Sequence, residues 1–111
     1  MESILGPERR GRLRISGPYP ALVRGRAADG ARFEEDTFVD NLSARGLYLK
    51  LGQAVAQGAY LFLIVQLATG PDDLPPPRVA IRGSVARVEP KPEGGYGLAV
   101  MISRHRFLDD L

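Results

Sequence analysis

Cysteine and tryptophan are missing from this 111-residue chain, and histidine occurs once, at His105. Without thiols there is no disulfide framework and no thiolate metal site, which fits a reducing compartment. A lone histidine with no acid spaced to partner it makes neither an imidazole metal centre nor a general base. The acidic pairs Asp72-Asp73 and Asp109-Asp110 and the run Glu34-Glu35-Asp36 read as solvated charge, not as paired catalytic carboxylates. Glycine-rich phosphate loops of the Walker or dinucleotide-binding type are also absent. These absences remove the usual enzyme classes, and a non-enzymatic binding module is the expectation. Long apolar runs are missing too. The opening "MESILGPERR" lacks a signal-peptide core. The longest apolar stretch, "AYLFLIVQLA" at 59–68, is too short to cross a bilayer as a helix. The reading is a cytoplasmic soluble protein with no membrane segment.

Lysine is scarce: 13 of the 15 Lys and Arg residues are arginine. A GC-rich coding bias accounts for that preference, along with the abundant Ala, Gly and Pro. It does not account for "RRGRLR" at 9–14, which packs four arginines into six positions. The net charge of only +2 argues against a protein built to bind DNA or RNA by bulk charge.

The chain is long enough for one domain and one core. Residues 1–17 have no useful periodicity and are punctuated by Gly6, Pro7, Gly11 and Gly17; they read as a flexible arm. "YPALVRGRA" at 19–27 reads as a strand, and Asp29-Gly30 as a turn. "FEEDTFVDNLS" leads as a strand into a polar turn. "GLYLKL" at 46–51 alternates, with Leu47, Leu49 and Leu51 on one face. "GQAVAQG" is a connector with room for a short helical turn. "AYLFLIVQL" is almost continuously apolar, as expected of a strand buried on both faces. "ATGPDDLPPPR" at 68–78 is a loop. "VAIRGSVARVEP" at 79–90 is a strand with Gly83 as a candidate bulge, and "YGLAVMI" at 96–102 is the last strand. The tail "SRHRFLDDL" suits a short C-terminal helix with Ser103 as N-cap. The expected domains are the arm at 1–17, a barrel at 18–103 and a tail at 104–111. Six short strands with little helix favour an all-β barrel, whose closure removes the edges that such apolar strands could not safely expose.

Two stretches carry chemistry. In the first, Arg10 and Arg14 are four apart with Gly11 between them. A guanidinium presents a planar fork of donors that matches phosphate oxygens or the O6/N7 edge of guanine. Each charge-assisted contact contributes about 1.5–3 kcal/mol, so two or three with stacking reach the roughly 8 kcal/mol of micromolar binding. The bland reading of this segment is a basic tail. In the second, "NLSARG", Asn41 offers a donor and an acceptor and Ser43 can meet a phosphate or cap the turn. Gly46 permits a positive φ or a close backbone approach. The bland reading here is an ordinary Asx or Ser turn.

Together, Arg10-Gly-Arg-Leu-Arg14 and Asn41-Leu-Ser-Ala-Arg-Gly46 resemble the paired motifs of the PilZ domain family. The later stretches "GLYLKL", "GAYLFLIVQL", "IRGSVARVEP" and "GGYGLAVMI" extend the resemblance over roughly residues 8–103. It implies a six-stranded antiparallel PilZ-type β-barrel that binds cyclic di-GMP, a bacterial second messenger, and has no cofactor. It also implies that Arg10 and Arg14 contact phosphates and guanine edges, that Asn41 and Ser43 contact a guanine and its neighbouring phosphate, and that Gly46 holds the turn. Arg9 matches a position where relatives hold a mutually intercalated ligand pair. Arg12 and Arg45 add charge inside the motifs. The output is then a protein partner in trans, reached when the ligand's phosphates neutralise and dock the arm. The competing readings are a PilZ-like adaptor that binds no nucleotide and, behind it, a single-stranded nucleic-acid binder.

Overall fold

In a computed structural model the described residues are 18–67 and 77–108. Arg9, Arg10 and Arg14 lie outside them, as do the 68–76 stretch and 109–111. Six strands follow in chain order: β1 (Tyr19–Arg26), β2 (Arg32–Leu42), β3 (Gly46–Leu51), β4 (Tyr60–Gln66), β5 (Arg78–Pro90) and β6 (Tyr96–Leu108). All pair antiparallel and close a barrel in the order β1-β2-β3-β6-β5-β4. This is the barrel that the resemblance implies. No helix among the described residues is long and apolar enough to cross a membrane.

The alternation of side chains along each strand creates the core. Val23, Val39, Leu49, Leu63, Val65, Val79, Ile81 and Leu98 are fully buried, and no polar or charged residue among those described is buried. The β1–β2 connection turns as expected: Gly30 takes φ 91°, and the Asp29 carboxylate accepts from Ala31 N–H at 2.9 Å.

Four expectations need correction. β4 is buried on one face, not two: Leu61, Leu63 and Val65 point inward, while Tyr60 is 77% exposed and Phe62 and Ile64 are half-buried. A barrel has a single interior, and no second layer of described residues covers the outside of β4. The connector 52–59 forms no helical turn. It packs onto the core instead: Val55 is buried in the core cluster, and Gly58 N–H and Ala59 C=O bond to Val85. Residues 103–108, expected to begin a C-terminal helix, are strand instead. β6 runs on to Leu108 because β5 offers it partners, Arg82 to Arg104 through Arg78 to Leu108. Ser103 is no N-cap; its hydroxyl donates to Arg82 C=O at 3.1 Å. A ladder with a long-range partner outweighs the local preference of a short segment for a marginal helix. The barrel boundary expected at 103 is therefore crossed by a continuous strand.

The β5–β6 ladder carries two irregularities. Arg82 opposes Arg104 but Gly83 opposes Ile102, so Ser103 is an extra residue on β6. Val85 opposes Val100 but Arg87 opposes Ala99, so Ala86 is extra on β5. Gly83 thus sits at a bulge, as expected, and the reason is space: a Cβ there would lie 2.6 Å from the Met101 carbonyl oxygen.

Candidate ligand-binding corner at the β2–β3 turn

β2 reaches the turn through another irregularity. Val39 opposes Leu49, Asn41 opposes Tyr48, and Asp40 between them is left without a partner in the register. The shift puts Asn41 on the outer face, exposed, and its amide makes no hydrogen bond to a described residue. The next pair, Leu42 with Leu47, closes the turn.

Ser43 organises this turn. Its N–H donates to Gly46 C=O at 3.0 Å. Its hydroxyl oxygen accepts from Arg45 N–H at 3.2 Å and from Gly46 N–H at 3.3 Å, and donates to Gly46 C=O at 3.3 Å. The hydroxyl is therefore engaged within the turn, as in a serine-capped turn. The Arg45 carbonyl accepts from Ile102 N–H at 2.8 Å, which fastens the turn to β6. Gly46 does not take a positive φ. Its lack of a side chain answers a steric demand from β6: a Cβ would lie 3.0 Å from the Val100 carbonyl oxygen. Of the two reasons anticipated for this glycine, close backbone approach is the one that applies, and the approach is to a strand.

The turn walls one side of an outer groove of about 640 Å³, whose other lining includes Ala86, Ala99, Met101 and Ile102. Two alanines and a methionine make a low apolar floor able to accept a planar ring, while Arg45 and the turn stand beside it. The Arg45 side chain has no ion-pair partner among the described residues. Next to it, Tyr48 lies over Gly97, where a Cβ would collide with the phenol. The phenol donates to Glu89 Oε1 at 3.4 Å, and Lys91 Nζ sits 5.6 Å from the ring centroid. Hydrogen bonding to the Tyr48 oxygen, then its charge, and then Glu89 hold the Lys91 ammonium above the ordinary lysine value. Asn41, Ser43 and Gly46 are thus gathered on one corner of the barrel. The arginines expected to complete the site, Arg9, Arg10 and Arg14, lie outside the described residues.

A larger groove lies elsewhere. About 820 Å³ in volume, it crosses the outer face of β1, β4 and β5, where Arg24, Arg26, Phe33, Tyr60, Phe62 and Arg82 line it. Arg24 is held by Glu34 at 2.6 Å, and Arg26 donates to Gly30 C=O at 3.0 Å. Arg82 and Arg104 line the same groove. These two come together with Phe62 only through the registers of three strands, a relation that no local spacing encodes.

No protein-family model matches this chain, and no curated protein matches it by sequence. Among solved structures, it is similar to the Bacillus subtilis inhibitor of motility MotI/DgrA, with a TM-score of 0.62 and 20% identity. The match covers 80% of this chain and 40% of that one, so this chain spans less than half the neighbour's length. At that identity the likeness concerns the fold: a barrel of this form occurs as part of a larger protein.

Proposed function

We propose that this chain is a non-enzymatic receptor module for cyclic di-GMP. The ligand lies between the corner of Asn41, Ser43 and Gly46 and the arginines Arg9, Arg10 and Arg14, and its binding regulates a partner protein. The observation that carries the reading is the corner itself. The Arg45 guanidinium, without an ion-pair partner among the described residues, flanks an apolar groove sized for a planar base, and the exposed Asn41 amide, also without a partner among them, lies at the β2 end of the same turn. The Arg-x-x-x-Arg resemblance supplies the second half of the clamp. A ligand that touches both halves favours the state in which they are together, because only that state offers both sets of contacts. The occupied hydroxyl of Ser43 specifies its part more narrowly: it shapes the turn, and a phosphate meets it only by replacing the long bond to Gly46 C=O.

The test is isothermal titration with cyclic di-GMP, using GTP and the linear dinucleotide as controls. Saturable heat is expected, lost in Arg10→Ala and reduced about tenfold or more in Asn41→Ala, as for a base-reading side chain. A stoichiometry of two ligands per chain assigns Arg9 to an intercalated pair; one per chain removes that role. No heat at tens of micromolar overturns the nucleotide reading. It leaves the adaptor that binds no nucleotide, which the self-satisfied Ser43 turn favours.

A further inference from the structure

β6 has a neighbour on both sides only as far as the turn. Its last pair with β3 is Met101 with Gly46, and the bond from Ile102 N–H to Arg45 C=O is the final rung. Beyond it, residues 104–108 pair with β5 on one side. No described residue pairs with the other side. Every second residue of this half-strand therefore turns a backbone donor and acceptor to an open edge.

The two faces beside that edge differ. On the outer face, the register aligns Arg104, Arg82 and Phe62 in one row, with Arg106 in the next row opposite Ala80. The Arg82 guanidinium lies 5.7 Å from the Phe62 ring centroid. Arg82, Arg104 and Arg106 have no ion pair among the described residues. On the inner face, Phe107 stands opposite Val79, which is fully buried, yet Phe107 itself is 49% exposed. β3 has ended and nothing described continues the wall over it. His105 packs its ring against Phe107 edge to face, 6.4 Å between centroids.

We propose that this half of β6 is the acceptor edge for an extended segment of a partner protein, in which acidic residues alternate with apolar ones. An added strand presents alternate side chains to the two faces. Carboxylates on one side meet Arg104 and Arg106; apolar groups on the other cover Phe107 and continue the barrel wall. Charge separates this occupant from the competitors. A second copy pairing β6 with β6 sets the Arg104 and Arg106 faces of two chains side by side, and like charges opposite one another destabilise a ladder. The arginine-rich 9–14 segment carries the same sign. A nucleic-acid strand makes no use of an open backbone edge, and the Phe62 ring on which a base would stack already faces Arg82. The inference is independent of nucleotide binding at the turn.

The test is fluorescence anisotropy on the full chain, without nucleotide, with a labelled ten-residue peptide alternating Glu with Val and Phe. Companion probes are the same peptide with Lys for Glu, the same peptide N-methylated at alternate amides, and an oligothymidylate. Binding of the Glu peptide is expected, weakening severalfold with added salt. It falls about tenfold in Arg104→Glu and in Arg106→Glu. The N-methylated and Lys peptides bind at least tenfold more weakly. Thermal melts of each variant separate loss of the edge from loss of the fold. Three results overturn the proposal: no binding of the Glu peptide up to roughly 1 mM; equal binding of the N-methylated or Lys peptide; or oligothymidylate binding, or self-association by sedimentation, abolished by the same arginine variants.

Discussion

Gly83→Ala tests whether the bulge that carries β6 past β3 is set by sterics. A Cβ at Gly83 would lie 2.6 Å from the Met101 carbonyl oxygen and 2.7 Å from Val100 Cγ1. Both neighbours belong to β6, and one is backbone, which cannot rotate away. Crowding of this kind costs about 1–3 kcal/mol. Against it stands the gain from replacing glycine in a strand, about 0.4–1 kcal/mol through the unfolded chain. The balance is a loss of about 1.5 kcal/mol, which lowers the midpoint of a domain of this size by roughly 6–12 °C. Gly46→Ala is the internal control. Its Cβ meets one atom, the Val100 carbonyl oxygen at 3.0 Å, and the same entropic gain nearly cancels the contact. The expected change there is within about 0.5 kcal/mol. The assay is urea unfolding followed by far-ultraviolet circular dichroism, with thermal melts in parallel. An unchanged urea slope confirms that folded-state stability, not denatured-state compactness, has moved. If Gly83→Ala melts within about 2 °C of wild type, or if Gly46→Ala is the more damaging, steric control of the bulge is refuted.

The two faces of β4 give the next prediction: Leu63→Ala, inside and fully buried, costs about 2–5 kcal/mol, whereas Tyr60→Ser, outside, stays within about 0.5 kcal/mol, both read from urea midpoints. Ser43→Ala removes the hydroxyl contacts to Arg45 N–H and Gly46 N–H and costs about 1 kcal/mol by the same assay, with Ser43→Thr retaining them. Tyr48→Phe deletes the oxygen that raises Lys91, so a side-chain NMR titration shows the ammonium moving down toward 10.5. The signs at the two ends of the pH range are opposite. Lys91 is raised in the folded state, so its contribution is complete below 10.5 and is lost as pH rises through the folded value. Glu93 is lowered, first by a backbone N–H of its own residue and then by Lys50. Its contribution is complete above 4.5 and is lost as pH falls through the folded value. Neither group therefore adds a slope to the melting temperature between those limits.

The strands were legible where alternation and turn chemistry agreed. Leu47, Leu49 and Leu51 read as one face and are one face; Asp29-Gly30 read as a turn and is one. Legibility failed where the partner decides. The apolar run of β4 looks doubly buried because composition cannot say whether a second layer exists to cover Phe62 and Ile64. The 103–108 stretch looks helical because its local signals are a capping serine and mixed polarity, while the deciding fact is the length of β5 across from it. At the corner, the residue types of Asn41, Ser43 and Gly46 were readable, but their physical jobs were only partly so. Gly46 answers to a carbonyl of β6, a strand some fifty residues further along, and that demand leaves no mark in its neighbours.

The turn and the open edge meet at a single hydrogen bond, Ile102 N–H to Arg45 C=O. On one side of that bond lies the groove walled by Ser43 and Met101; on the other, Ser103 begins the unpaired half of β6. The turn is anchored to β6 here, so a ligand that tightens it acts on the first residue of the edge, whereas a strand added to the edge braces the turn from behind. Coupling between two such sites is reciprocal in binding free energy. If the corner holds a ligand and the edge holds a strand, then whatever factor the ligand changes in peptide affinity, the peptide must change in ligand affinity. Titrating the ligand with and without saturating Glu peptide measures that factor from one direction, and the reverse titration from the other. Equal factors greater than one identify a coupled pair, and a factor of one in both directions makes them independent sites that happen to share a strand.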